Sequence, residues 1–213
     1  MPLTHTPASE ELFKSGLLSN TPVQARSNAR VTALLDAAAK VIHEKGYEEL
    51  TTADVAAVAG ASIGTVYRYF EDRVKVLEAL AIRNVERTDI RFREALEGVS
   101  GSSPADATNA IFEVYLAMFR TEPGFRSLRF GDVLDIRPRP VVPRMRTAAR
   151  TISAAFSSQF GFTDTDENIL ELEKSMIVAD AFLARAFFNN DRGDPAYIDA
   201  ARDAAASLAR LAS

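Results

Sequence analysis

Cysteine is absent from the 213 residues, and histidine occurs only at His5 and His43. The first absence removes disulfides, thiolate catalysis and thiolate metal sites together. The second leaves a His-based metal centre or a Ser-His-Asp triad almost nothing to work with, so no metal and no other cofactor is expected. Positive charge is not in excess either. The formal net charge is −4, which excludes a general polyanion binder and confines any nucleic-acid contact to a local patch. Long apolar runs are missing too. The uncharged residues around 55–67 are broken by Gly60 and Gly64 and are too few to cross a bilayer. The first twenty residues, MPLTHTPASEELFKSGLLSN, have neither the basic start nor the apolar run of a signal peptide. No membrane partner is expected, and the chain reads as soluble and cytoplasmic.

Hydrophobic content of 47% and charged content of 25% are ordinary for globular chains, and the length suffices for one large domain or two small ones. Residues 1–25 are rich in Ser, Thr and Pro and read as a mobile arm. From Ser27 the period becomes helical: Val31, Leu34, Leu35, Ala38, Val41 and Ile42 form one apolar stripe that ends near Gly46. Thr51 with Asp54 predicts the cap of a short helix reaching about Ala59. Ser62 caps a second short helix to Phe70, and Asp72 opens a longer one to about Glu97. Ser103-Pro104 starts a helix that stops at Glu122-Pro123-Gly124. A shorter helix follows to about Asp135, then RPRPVVP breaks the chain before helical patterns at 144–160, 164–190 and 195–211. No stretch shows strand alternation, so the fold class is all-α.

The stretch AGASIGTVYRYF (59–70) departs from this pattern. Two short helices around a turn at Gly60 make a helix-turn-helix, whose second member enters the DNA major groove. Stepping 100° per residue from Ile63 puts Val66 and Phe70 beside it, with Tyr67 at the margin, and sends Thr65, Arg68 and Tyr69 the opposite way. Hydroxyls and phenols suit phosphates, while an arginine forks onto guanine or phosphate. Gly64 lets the first turn approach a groove. Residues 24–75 hold as many acidic as basic side chains, so binding depends on placement, with Arg26 and Arg30 near the first helix's start and Arg68 and Arg73 near the second short helix.

With its threonine, alanine-glycine, Ser-x-Gly-Thr, hydrophobic-tyrosine, aromatic-phenylalanine and following basic residue, LTTADVAAVAGASIGTVYRYFEDRVKVLEAL (50–80) resembles the tetracycline-repressor (TetR) family of bacterial transcription regulators. The resemblance implies an N-terminal three-helix DNA-binding domain (26–75) and a larger helical domain (76–213) that binds an effector and dimerises. It implies that Thr52, Tyr67 and Tyr69 bond phosphates and that Ser62, Ile63, Gly64 and Thr65 meet the groove. Arg68 would read a base and Arg73 grip the backbone. Ile63 stands where many members carry a polar or basic residue, so contact there would be apolar, for example with a thymine methyl.

Residues 176–188, MIVADAFLARAFF, carry charge only at Asp180 and Arg185. A helix apolar nearly all round needs covering on more than one face. A second copy is the economical cover, giving a homodimer through the helices at 164–190 and 195–211, where Ala201, Ala205, Leu208 and Ala212 permit close approach. Two such reading helices predict a palindromic double-stranded operator with half-sites about 34–36 Å apart. Eleven of the 13 phenylalanines lie beyond residue 90, which suits a packed core and also an apolar pocket for a small-molecule effector. Tyr115, Phe119, Arg129, Phe156 and Asp180 are the candidate contacts. The expected function is that of a ligand-responsive repressor, with an activator or a small-molecule carrier as the alternative, and not an enzyme.

Overall fold

A computed structural model describes residues 25–131 and 143–206, with side chains from Asn28 onward. The expected arm, the Arg26 side chain, RPRPVV, the helix end near Asp135, and Leu208 and Ala212 lie outside the described residues. Among the described residues the regular structure is all helical: α1 (Ala25–Lys45), α2 (Thr52–Val58), α3 (Ile63–Tyr69), α4 (Arg73–Gly98), α5 (Pro104–Thr121), α6 (Phe125–Leu128), α7 (Arg144–Phe160), α8 (Asp166–Ala186) and α9 (Pro195–Ala206). The chain divides into two compact units. Among the described residues the first comprises 25–86 and 123–131, the second 87–122 and 143–206.

In the first unit the α1 stripe is buried as its spacing requires: Val31, Leu34, Leu35, Ala38, Val41 and Ile42 are at most 2% exposed. They share one core with Leu50, Val55, Val66, Phe70, Val76, Leu77, Leu80 and Leu128. The unit runs past Lys75 because the first turns of α4 supply part of that core. The caps follow from the sequence. Thr51 accepts from the Asp54 amide at 3.0 Å, Ser62 from the Thr65 amide at 3.1 Å, and Asp72 from the Lys75 amide at 2.9 Å.

The helix expected to run to Asp135 is instead a single turn, α6. It stops because Arg129 adopts φ 45°, a left-handed value that breaks the helix. With ψ −120° it lies outside the left-handed helical well, and such a sparsely populated conformation costs about 1–3 kcal/mol and persists where neighbours fix it. Here the buried Asn84 donates to the Arg129 carbonyl at 2.8 Å. Gly124 opens α6 with φ +71° and lies so close to α1 that a Cβ would sit 2.8 Å from the Ala39 carbonyl oxygen.

The second unit packs the latter half of α4 with α5, α7, α8 and α9. The Ser103/Asp106 capping box starts α5, with Pro104 at its first position. Phe119 meets Tyr115 edge-on at 5.4 Å between centroids and Phe187 at 5.5 Å. Buried Glu122, at the end of α5, holds Arg87 and Arg91 of α4, the latter at 3.0 Å. Buried Glu173 of α8 pairs with Arg146 of α7. α8 ends at Ala186, short of the expected residue 190. Among the described residues no helix is long and apolar enough to cross a membrane.

Candidate nucleic-acid interface and effector cavity

α2 and α3 flank a turn in which Gly60 takes φ +58°, open to glycine without strain. Seven-residue α3 is seated by Val66, Tyr69 and Phe70, which are 0%, 6% and 0% exposed. This corrects two assignments. Tyr69, expected to face outward toward phosphate, is buried. Ile63, expected on the buried side with Val66, is 47% exposed.

The reason is local. Phe70 has extended dihedrals, φ −124° and ψ 123°, and lies past the helix end. It therefore has no place on a 100° wheel. Without it, the buried direction is set by Val66 and Tyr69, and the opposite direction falls among Ile63, Gly64, Tyr67 and Arg68, which are all exposed. The signal was present: Asp72 caps α4, so Phe70 and Glu71 had to form the bend between helices. The outward face is thus less polar than Thr65-Arg68-Tyr69 suggested.

The other predicted contacts lie on or beside α1, α2, α3 and α4. Thr52 of α2 donates to the Tyr67 phenol oxygen at 3.2 Å, joining two of the three residues assigned to phosphate. Ser62 and Thr65 share a hydroxyl hydrogen bond of 2.9 Å beside the start of α3, with Ser62 exposed and Thr65 half-buried. Arg30 and Arg68 are exposed. Arg73, also exposed, donates to the Glu48 carbonyl at 2.7 Å, which orients its guanidinium. Two lysines are engaged elsewhere: Lys45 with Asp54 and Lys75 with Glu78, each at 3.1 Å. The Thr51 hydroxyl, then Lys45, hold the Asp54 carboxyl below the usual aspartate range. That carboxylate serves the α2 cap.

The second unit contains a small, partly open cavity of about 30 Å³, walled by Phe92, Ile111, Phe112, Met145, Met176 and Ala179 with Thr108, Tyr115 and Ala205. Its two hydroxyls already have acceptors. Thr108 donates to the Pro104 carbonyl at 2.9 Å and Tyr115 to Asp180 at 2.7 Å. Of the five residues predicted for the effector, Tyr115 lines this cavity and Asp180 stands behind it. Phe119 and Phe156 lie in the packed core, 1% and 3% exposed, and do not line it. Arg129 belongs to the first unit, its guanidinium donating to the Arg126 carbonyl at 3.1 Å. Aromatic count drew attention to phenylalanine, whereas methionines and alanines supply much of the wall.

The sequence matches the profile described as "Bacterial regulatory proteins, tetR family" over residues 34–80, and the "Tetracyclin repressor-like, C-terminal domain" over residues 102–211. The chain belongs to the TetR family. As a member it is a DNA-binding transcription regulator and not an enzyme. It is 27% identical over 186 residues to the HTH-type transcriptional repressor KstR of Rhodococcus jostii (strain RHA1), covering 84% of this chain and 79% of that one. A TetR-family transcriptional regulator from Streptomyces coelicolor superposes with a TM-score of 0.71 at 31% identity, over 85% of this chain and 96% of that one. A TetR regulator from Rhodococcus sp. RHA1 shares the fold with a TM-score of 0.60 at 20% identity, over 86% and 97% of the two chains.

Proposed function

We propose that this TetR-family regulator is a repressor that binds a palindromic operator as a homodimer and is released by a small, largely apolar effector. The observation that carries the reading is the outward face of α3. Ile63, Gly64, Tyr67 and Arg68 stand exposed on a helix whose other side is locked into the core, with Thr52 bonded to Tyr67. Arg68 reads a base, Tyr67 and Thr52 bond phosphate, and Arg73 grips the backbone. The similarity to a chain named a repressor supports that sense of regulation.

The dimer rests on α8. Leu170, Ile177, Val178 and, just beyond the helix, Phe188 are 37%, 50%, 46% and 74% exposed, an apolar row that a second copy covers. Of the small residues expected to line that contact, Ala201 and Ala205 of α9 are 0% and 8% exposed within their own subunit.

The switch rests on the path of the chain. Phe92 of α4 and Ile111, Phe112 and Tyr115 of α5 wall the cavity. α4 begins in the first unit, and α5 leads back into it at Pro123. An effector that favours one arrangement of these helices shifts the DNA-binding population by as much as it discriminates, about 1–3 kcal/mol or roughly 5–150-fold. The test is selection of bound sequences from a random duplex pool, followed by a screen of metabolites for release. Failure to enrich any sequence refutes the regulator. Equal effector affinity with and without operator refutes the switch.

A further inference from the structure

The first unit hides its large apolar side chains with three exceptions among the described residues: Val58, Ile63 and Tyr67, which are 42%, 47% and 50% exposed. All three lie on α2 and α3. The seat of α3 does not need Ile63, since Val66, Tyr69 and Phe70 provide it. Ile63 and Tyr67 are four residues apart and share a helix face, with Gly64 beside them.

Gly64 is unexplained by the subunit. Its backbone is not left-handed, and an added Cβ would find only the Ser62 hydroxyl, at 3.8 Å. Neither strain nor packing calls for glycine there, so its effect is clearance on the outer surface next to Ile63. The isoleucine side chain has no donor or acceptor and makes no hydrogen bond to a phosphate or a base edge. The apolar feature that unmodified DNA offers in the major groove is the C5-methyl of thymine.

We propose that Ile63 reads the C5-methyl group of a thymine in each operator half-site, with Gly64 giving the groove edge room to approach. This rests on the regulator reading above and specifies part of what its reading helix recognises.

The experiment starts from the sequence enriched by the full chain and replaces each thymine, in both half-sites together, by deoxyuridine. At one position the loss of the methyl weakens binding roughly fourfold per half-site, or roughly sixteenfold for the symmetric pair. Ile63→Ala binds the thymine operator more weakly and no longer distinguishes thymine from deoxyuridine at that position, while discrimination at other thymines persists. Placing 5-methyldeoxycytidine there binds more tightly than deoxycytidine to the wild type, and equally to Ile63→Ala. Gly64→Ala weakens operator binding while its melting temperature holds or rises. A thymine-to-deoxyuridine ratio at every position that is unchanged by Ile63→Ala overturns the proposal. So does operator binding indifferent to every thymine methyl. If no sequence is enriched at all, the regulator reading falls and takes this one with it; enrichment with methyl-indifferent binding sinks this one alone.

Discussion

Gly124→Ala places a methyl group where α6 meets α1, and its cost can be worked out by comparison with Gly60→Ala in the same unit. Both glycines have positive φ, +71° and +58°. Both substitutions therefore carry the left-handed penalty of about 1–2 kcal/mol, and both gain the same small entropic benefit from a stiffer unfolded chain. They differ in surroundings. A Cβ on Gly60 meets nothing within 4 Å, whereas one on Gly124 sits 2.8 Å from the Ala39 carbonyl oxygen and 3.3 Å from the Ile42 Cγ2. The carbonyl belongs to the α1 backbone and cannot rotate away, so α6 must shift, at about 1–3 kcal/mol for overpacking. Gly124→Ala is thus expected to be less stable than Gly60→Ala by about 1–3 kcal/mol, which at roughly 2–4 °C per kcal/mol separates their melting temperatures by some 2–12 °C. Thermal and urea unfolding followed by helical circular dichroism measure the difference, with m-values checking that the transitions are comparable. Equal melting temperatures, or a more damaging Gly60→Ala, would refute the close-packing argument.

Arg68→Ala should weaken operator binding by about 1–3 kcal/mol and relax preference at one base pair, whereas Arg73→Ala should flatten the salt dependence by about 0.9 log units per log unit of salt for the phosphate it leaves unneutralised. Tyr69→Ala should instead lower thermal stability by about 3–5 kcal/mol as a large buried truncation, and a Tyr69 variant that melts normally but cannot bind DNA would restore the outward assignment. Ile177→Glu should convert the dimer to monomer in sedimentation at micromolar concentration, while helix content is kept. Ala179→Leu should fill the cavity and blunt effector release while operator affinity stays, as anisotropy titrations would report. Burial is the largest single influence on Glu122 and raises its pKa, but Arg87 and Arg91 together outweigh it and hold the folded-state value below the usual glutamate range. Its contribution, about 1–3 kcal/mol for charge-assisted hydrogen bonds, is therefore present at neutral pH and lost as pH falls through that depressed value. Glu122→Gln should be less stable at pH 7, with the gap closing in acid; a pH-independent gap would contradict the ion-pair account.

The helices were largely legible because their boundaries are written in local chemistry. Thr51, Ser62, Asp72 and Ser103 each accept from a backbone amide three residues on, as their types and spacing predict. The α1 stripe is buried as its period requires. What failed was a matter of rotation in a helix of barely two turns. One residue wrongly counted as helical, Phe70, moved the apparent apolar centre enough to exchange Ile63 and Tyr69. A long helix averages such an error over many residues; a short one does not. The end of α6 was illegible for a different reason. Arg129 takes its positive φ where Asn84, far away in sequence, donates to its carbonyl, and no local rule encodes that.

The cavity marks where residue type stops being informative. Phe119 and Phe156 were as plausible as Phe92 and Phe112, since all four are aromatic, buried and on helices of the same unit. What separates them is whether the facing side chain fills the space opposite. Phe119 is met by Tyr115 and Phe187, and Phe156 by Phe160 at 5.3 Å. Around Phe92 and Phe112 the neighbours include Ala179, Ala205 and flexible methionines, which leave room. The pocket is therefore a deficit of volume set by small residues on α8 and α9, not a surplus of aromatics. Effector size in this regulator should accordingly track substitutions at Ala179 and Ala205 more closely than changes among the phenylalanines.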